Sequence, residues 1–103
     1  MNTVSKNRIA LSAVLITLNA GKQLAAALES LQFCGDLVVV DSNSTDNTVE
    51  VAEKFGARVV QQNWLGFGPQ KQFAVAQATY DWVLCLDADE RVTPGLERTI
   101  RAV

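Results

Sequence analysis

Apolar and polar positions alternate along this chain in two rhythms. Four short apolar runs, Ile9 to Thr17, Asp36 to Asp41, Ala57 to Gln61 and Asp81 to Leu86, read as strands. The second, Asp-Leu-Val-Val-Val-Asp, carries three valines in succession, the pattern of a strand buried on both faces. Between the runs apolar residues recur at helical spacing. Leu24, Leu28 and Leu31 do so in a segment from about Lys22 to Gln32, and Val51 and Phe55 lie one turn apart in the next. Ser44 or Thr45 is expected to cap that second helix, with Asp46 in its first turn and Gly56 in the left-handed position after its end. Gln62 to Gly68 predicts a loop, and Pro69 opens a third helix running to about Thr79. Thr93 caps a last helix with Pro94 at its first position, and Leu96, Ile100 and Val103 line one face of it.

Strand and helix in strict alternation with short connections imply right-handed βαβ units and a parallel sheet. No internal repeat, low-complexity tract or linker interrupts the pattern, so residues 1–103 are read as a single α/β domain. Ligands of such sheets bind beyond the carboxyl ends of the strands. The polar residues collect there: Asn19 follows the first strand, Asp41 ends the second, and Asp87 and Asp89 follow the fourth.

Composition narrows the possibilities. With 49% apolar and 19% charged residues the chain is expected to fold. Its net charge of −2, with no basic stripe, argues against a nucleic-acid partner. Histidine is absent, which removes the usual general base and the commonest metal ligand, so a metal would be held by oxygen. Cys34 and Cys85 lie far apart without metal-site spacing; Cys85, inside an apolar run, is expected to pack as a small buried hydrophobe in a reducing compartment. Lys6 and Arg8 precede the apolar run to Leu18, and Leu18-Asn19-Ala20 loosely resembles a signal-peptide cleavage site. That run is too short to span a membrane, and cleavage would discard the best candidate for a central strand.

Each polar constellation has a bland counterpart. Asp87 and Asp89, one residue apart, can aim at a shared hard cation, since Mg²⁺ or Mn²⁺ is usually held by one or two carboxylates plus substrate phosphates. A solvated acidic turn before a helix looks the same in isolation; placement at the sheet's carboxyl edge favours the metal–diphosphate role. Asp41 either meets a base N–H or ribose hydroxyl or bonds its own backbone as a turn former. Lys71, placed in the first turn of the third helix, is unfavourable against the helix dipole unless an anionic or base-carbonyl partner faces it, although exposed lysines are common. Trp64 and Phe67 are expected to pin their loop to the core rather than to stack on a ligand.

In order and spacing, four segments resemble a known family: the strand ending Leu18-Asn19, Val39 to Thr48, Lys71-Gln72, and Trp82 to Glu90 with its Asp87-Ala-Asp89. They are similar to the family-2 glycosyltransferases of the GT-A fold, and within them to the lipopolysaccharide-core type of bacterial β-glucosyltransferase. The likeness extends from Ile9 to about Ile100. It implies a three-layer α/β sandwich with a parallel sheet of order 3-2-1-4, the N-terminal, nucleotide-sugar-binding half of that fold. By resemblance, Ile16 to Leu18 and Asn19 lie against the nucleoside, Asp41 reads the base, and Lys71 stands where the family often has an arginine. Asp87 and Asp89 form the DxD motif, with Asp89 the more direct ligand of Mg²⁺ or Mn²⁺. Gln72 and Asn43 depart from the family's usual asparagine and glycine.

The resemblance further implies inverting transfer from a UDP-sugar-like donor to a glycan or lipid-linked acceptor. The setting would be the cytoplasm, peripherally at the inner face of the cytoplasmic membrane. The family's catalytic base lies further along the chain and is expected beyond Val103; Glu90 is a poor candidate, so these residues alone are expected to bind donor without transferring it. A fourth strand with an uncovered outer edge and an apolar last helix are expected to favour a homodimer. Rival classes remain. A toprim-type domain needs a glutamate where Thr17-Leu18-Asn19 stands, and a haloacid-dehalogenase-like phosphatase carries its DxD near the start of the domain. A non-catalytic, truncated binding module is the alternative outside enzymes.

Overall fold

The computed structural model describes residues 8–103. Lys6, part of the basic lead-in to the first apolar run, lies outside the described residues. The elements are β1 (Ile9–Thr17), α1 (Gly21–Ser30), β2 (Cys34–Asp41), α2 (Thr48–Lys54), β3 (Arg58–Gln61), α3 (Phe67–Ala76), β4 (Val83–Cys85) and α4 (Pro94–Arg101). The four strands form one parallel sheet in the order β3-β2-β1-β4, as expected.

Alternation along the strands divides the core into two layers. Leu11, Ala13 and Leu15 of β1 and Leu37 and Val39 of β2 face α1 and α2; Leu24 and Leu28 of α1 and Leu31 at its C-terminal cap are wholly buried. Val14 of β1 and Val38 and Val40 of β2 face α3, against Ala74 and Phe73. Helices thus cover both faces, and β2 is buried on both sides. Each of the three leucines contributes about 1.5–3 kcal/mol through burial.

Several boundaries move, each for a local reason. Helix α2 starts at Thr48 with Asn47 as its cap residue and without a side-chain cap bond. Ser44 and Thr45 do not cap it, because the Ser44 hydroxyl donates to Asp41 and the Thr45 amide donates to Asn19. Asp46 stands ahead of the helix and accepts from the Thr48 amide. Helix α3 begins at Phe67 after Gly66, whose φ of +98° suits glycine, and Pro69 is its third residue. Proline is tolerated there because the N–H it lacks would have no partner inside the helix. Lys71 is then the fifth residue, beyond the first turn. Gly56 does take the left-handed conformation after α2, and the Thr93 hydroxyl accepts from the Leu96 amide at 3.1 Å to cap α4.

Cys85 is exposed rather than buried. It sits on β4, a three-residue edge strand that among the described residues pairs only with β1, so one side of it is left without a neighbouring strand there. On the α4 side Ile100 packs on the core, whereas Leu96 and Val103 are exposed. Among the described residues no helix is long and apolar enough to cross a membrane.

Candidate functional site

Parallel pairing brings the strand ends level. Thr17 pairs in register with Asp41, and Asp41 with Gln61, so three polar residues stand side by side where β1, β2 and β3 end. Asp41 is 0% exposed. Its Oδ1 accepts from the Thr17 hydroxyl at 2.7 Å and the Ser44 hydroxyl at 2.6 Å. Its Oδ2 accepts from the Ser44 amide at 2.9 Å and the Gln61 side-chain amide at 3.0 Å. Burial alone pushes the carboxyl's pKa up, but the donors from Ser44, Thr17 and Gln61 outweigh it and hold Asp41 below its ordinary value. Asp41 therefore builds the edge of the site as a fixed anion. Of its partners, Gln61 is the exposed one and the one a ligand could displace.

Asn19 turns away from this carboxylate. At a left-handed φ of 51°, its side-chain oxygen accepts from the Thr45 amide at 2.8 Å and the Asp46 amide at 3.3 Å, while its own amide donates to the Ser44 hydroxyl. From the other side Asp46 accepts from the Gly21 amide, and the Thr48 hydroxyl from the Ala20 amide. The loops that follow β1 and β2 are thus laced together. A side chain at Gly21 would collide with the Asn47 side-chain oxygen, which shows how closely the two loops approach.

On the other side of β1, a small crevice is lined by Val14, Ile16, Lys71, Ala74, Cys85, Leu86 and Asp87. The Lys71 ammonium stands 3.8 Å from the Asp87 carboxylate, both partly exposed. This ion pair, rather than a helix-end effect, supplies the anionic partner of Lys71. The Asp87 amide donates to Glu90 at 2.9 Å, which closes the turn that carries Asp89 outward into solvent. Leu18 is exposed at the end of β1.

Of the residues singled out in the sequence, Ile16, Lys71 and Asp87 come together in one crevice. Asp41 is walled off beside it, Asn19 serves the loops, and Leu18 and Asp89 are exposed at the rim. Trp64 and Phe67 do not enter the core: they are 49% and 73% exposed and pack edge to face on each other, ring centroids 4.9 Å apart. The loop is pinned instead by the buried side chain of Gln70, which accepts from the Leu65 amide.

Among the described residues no cluster of three or more His, Cys, Asp or Glu could enclose a metal. The donor set does fit a hard divalent cation shared with a ligand. Asp87 and Asp89 offer two accessible carboxylates, and Asp87 already draws an ammonium to its side. A Mg²⁺ or Mn²⁺ bound in part by diphosphate oxygens needs no more protein ligands than these.

Residues 12–103 match the family model for Glycosyl transferase family 2. An uncharacterised glycosyltransferase of Rickettsia conorii is 45% identical over 94 residues, covering 90% of this chain and 33% of its own length. The lipopolysaccharide core biosynthesis glycosyltransferase LpsC of Rhizobium meliloti is 36% identical over 98 residues, covering 90% of this chain and 36% of its own. The chain thus spans about a third of the length of the relatives it matches. Among solved structures, S. aureus TarS 1-349 superposes with a TM-score of 0.78 at 28% identity, over 91% of this chain and 32% of that one. Glucosyl-3-phosphoglycerate synthase from Mycobacterium tuberculosis, solved with Mn²⁺, UDP and glucosyl-3-phosphoglycerate, superposes with a TM-score of 0.69 at 26% identity, over 80% of this chain and 35% of that one.

Proposed function

The chain belongs to glycosyl transferase family 2, and from that premise we propose that it supplies the nucleotide-sugar site of an inverting glycosyltransferase. The observation that carries this most strongly is the crevice at the carboxyl edge of the sheet, where Ile16, Lys71 and Asp87 converge and the Lys71 ammonium stands 3.8 Å from the Asp87 carboxylate. The donor is a UDP-sugar. Its nucleoside lies against Ile16, Leu18 and Asn19 at the end of β1, and its base reaches Asp41 where Gln61 gives way. Lys71 turns from Asp87 to the diphosphate. Asp89, with Asp87, holds Mg²⁺ or Mn²⁺, which when bound neutralises the charge of the departing diphosphate.

The acceptor class we favour is a glycan or lipid-linked saccharide of the lipopolysaccharide-core kind, in line with the name of the Rhizobium relative. Such an acceptor places the enzyme in the cytoplasm, peripherally at the membrane's inner face. The general base comes from a part of the protein other than these residues, so they bind donor without turning it over. The open edge of β4, with exposed Trp82 directly before it, together with α4, where Leu96 is exposed, is the surface through which two copies of this chain associate.

Titration of the chain with UDP, ADP and GDP tests the donor assignment. Saturable binding of UDP that the purines do not match is the expected result; equal binding of all three, or none, would remove it. Multiple-turnover transfer to a sugar acceptor by these 103 residues alone would contradict the division of labour.

A further inference from the structure

We propose that Gln70 is a positioning residue: its buried amide sets the rotation of α3 so that Lys71 stands opposite Asp87. The inference rests on the nucleotide site proposed above.

Gln70 is 0% exposed, yet its neighbours Pro69, Lys71 and Gln72 are all exposed. Its Oε1 accepts from the Leu65 amide at 3.0 Å, and its Nε2 donates to the Ser42 hydroxyl at 3.0 Å and the Gln62 carbonyl at 3.4 Å. Ser42, itself buried, directly follows Asp41. One side chain therefore joins α3 to the loop leaving β2 and to the loop leaving β3. A buried primary amide is costly without partners, and here both its oxygen and its nitrogen are used.

Apolar packing fixes the place of this helix on the sheet more than its rotation. The buried residues of α3 are Gln70 and Ala74, one turn apart, while Phe67 and Val75 are exposed. Ala74 and the half-buried Phe73 seat the helix on Val14, Val38 and Val40, but apolar contact is non-directional and leaves some rotation about the helix axis open. Directional hydrogen bonds resist it. Successive helical residues project about 100° apart, so fixing Gln70 toward the β2 and β3 loops fixes the direction of Lys71. That direction puts its ammonium 3.8 Å from Asp87. Released from the pin, α3 keeps its place on the sheet, but Lys71 no longer holds one position at the crevice.

The test is a double-mutant cycle on UDP affinity, measured calorimetrically with Mn²⁺ for the whole chain. Gln70→Met keeps the length and removes the bonds; it is expected to weaken UDP binding about tenfold, within the range of coupling through packed networks. Lys71→Met weakens it too, and adding Gln70→Met to Lys71→Met is expected to change it by less than about twofold, because the lever is already gone. Ser42→Ala, which removes one partner without touching the helix, should act in the same direction with the same dependence on Lys71, and guards against poor folding of the Gln70 variant. Exchange of the Leu65 amide should quicken in Gln70→Met, reporting the lost pin. Losses that multiply in the double variant, or wild-type affinity in both Gln70→Met and Ser42→Ala, would overturn the inference while leaving UDP binding in place. A wild-type chain that binds no UDP would overturn the nucleotide site and this inference together.

Discussion

Replacing Asp41 separates its structural contribution from any contact with ligand. Four donors converge on a carboxylate that is 0% exposed. Two are hydroxyls, Thr17 and Ser44, both directed at Oδ1; two are N–H groups, of Ser44 and Gln61, both directed at Oδ2. Asp41→Ala strands all four. Ser44 and Gln61 recover part of the loss from water, whereas Thr17, nearly buried, does not. Hydrogen bonds to charged groups contribute about 1.5–3 kcal/mol each, so with partial recovery Asp41→Ala is expected to cost about 3 kcal/mol. In a domain of this size that lowers Tm by roughly 15 °C. Asp41→Asn should be much milder. Its oxygen can take the Oδ2 position facing the obligate N–H donors, and its NH₂ can face the two hydroxyls, which rotate to accept. The expected cost is about 1 kcal/mol, the loss of charge assistance. Thermal and urea unfolding followed by circular dichroism measure both. An Asp41→Ala variant within about 0.5 kcal/mol of wild type, or an Asn variant as damaged as Ala, would refute the network's role. The pH dependence has a definite sign. A carboxylate held below its ordinary 3.8 stabilises the fold fully above that value and progressively less as pH falls through its folded pKa. The difference between wild type and Asp41→Asn should therefore shrink below about pH 4.

Three further outcomes follow from the geometry. Cys85 should react readily with a maleimide while Cys34, whose thiol burial pushes up to about 12, does not; Mn²⁺ with UDP should protect Cys85, and unchanged labelling would place the ligand elsewhere. Asp36→Asn should destabilise the end of the sheet opposite the site. It weakens a cluster in which Asp36 takes Arg58 at 3.1 Å, the Ser12 hydroxyl at 2.8 Å and the Thr79 amide at 3.0 Å, so Tm should fall with UDP affinity unchanged; a loss of affinity at unchanged Tm would contradict this. Light scattering over a range of concentrations should show a dimer that a charge in place of Trp82 dissociates, and a monomer at all concentrations would remove the edge-strand interface.

Much of this was legible because short-range chemistry and long-range structure agree. The triple valine of β2 has no other comfortable place than a doubly covered strand, and Leu24, Leu28 and Leu31 can share a face only in a helix. The position of Asp87 followed from the same logic, since a carboxylate just after an apolar strand must sit at the sheet's edge. The misplaced features are those whose partners are remote in sequence. Ser44 looks like a helix cap until β2 presents Asp41 to it, and the bonds by which Asn19 ties down the loop after β2 appear only once that loop arrives beside it. Cys85 reads as core because its neighbours are apolar, but an edge strand leaves it open. Gln70 carried no signal: a glutamine in a polar stretch is ordinary, and only the meeting of two loops makes it buried. Thr17 and Gln61 could have been found, because polar residues that close the strands flanking Asp41 must lie next to it once the order and register are known.

The central claim is that the carboxyl edge of this sheet binds a nucleoside diphosphate through a divalent cation on Asp87 and Asp89. Calorimetric titration of UDP into the wild-type chain and into Asp89→Ala, each with and without Mn²⁺, tests it directly. Mn²⁺ should tighten UDP binding to the wild type at least about tenfold and leave Asp89→Ala unchanged. Equal UDP affinity with and without Mn²⁺ in the wild type, or metal enhancement that survives in Asp89→Ala, would contradict it.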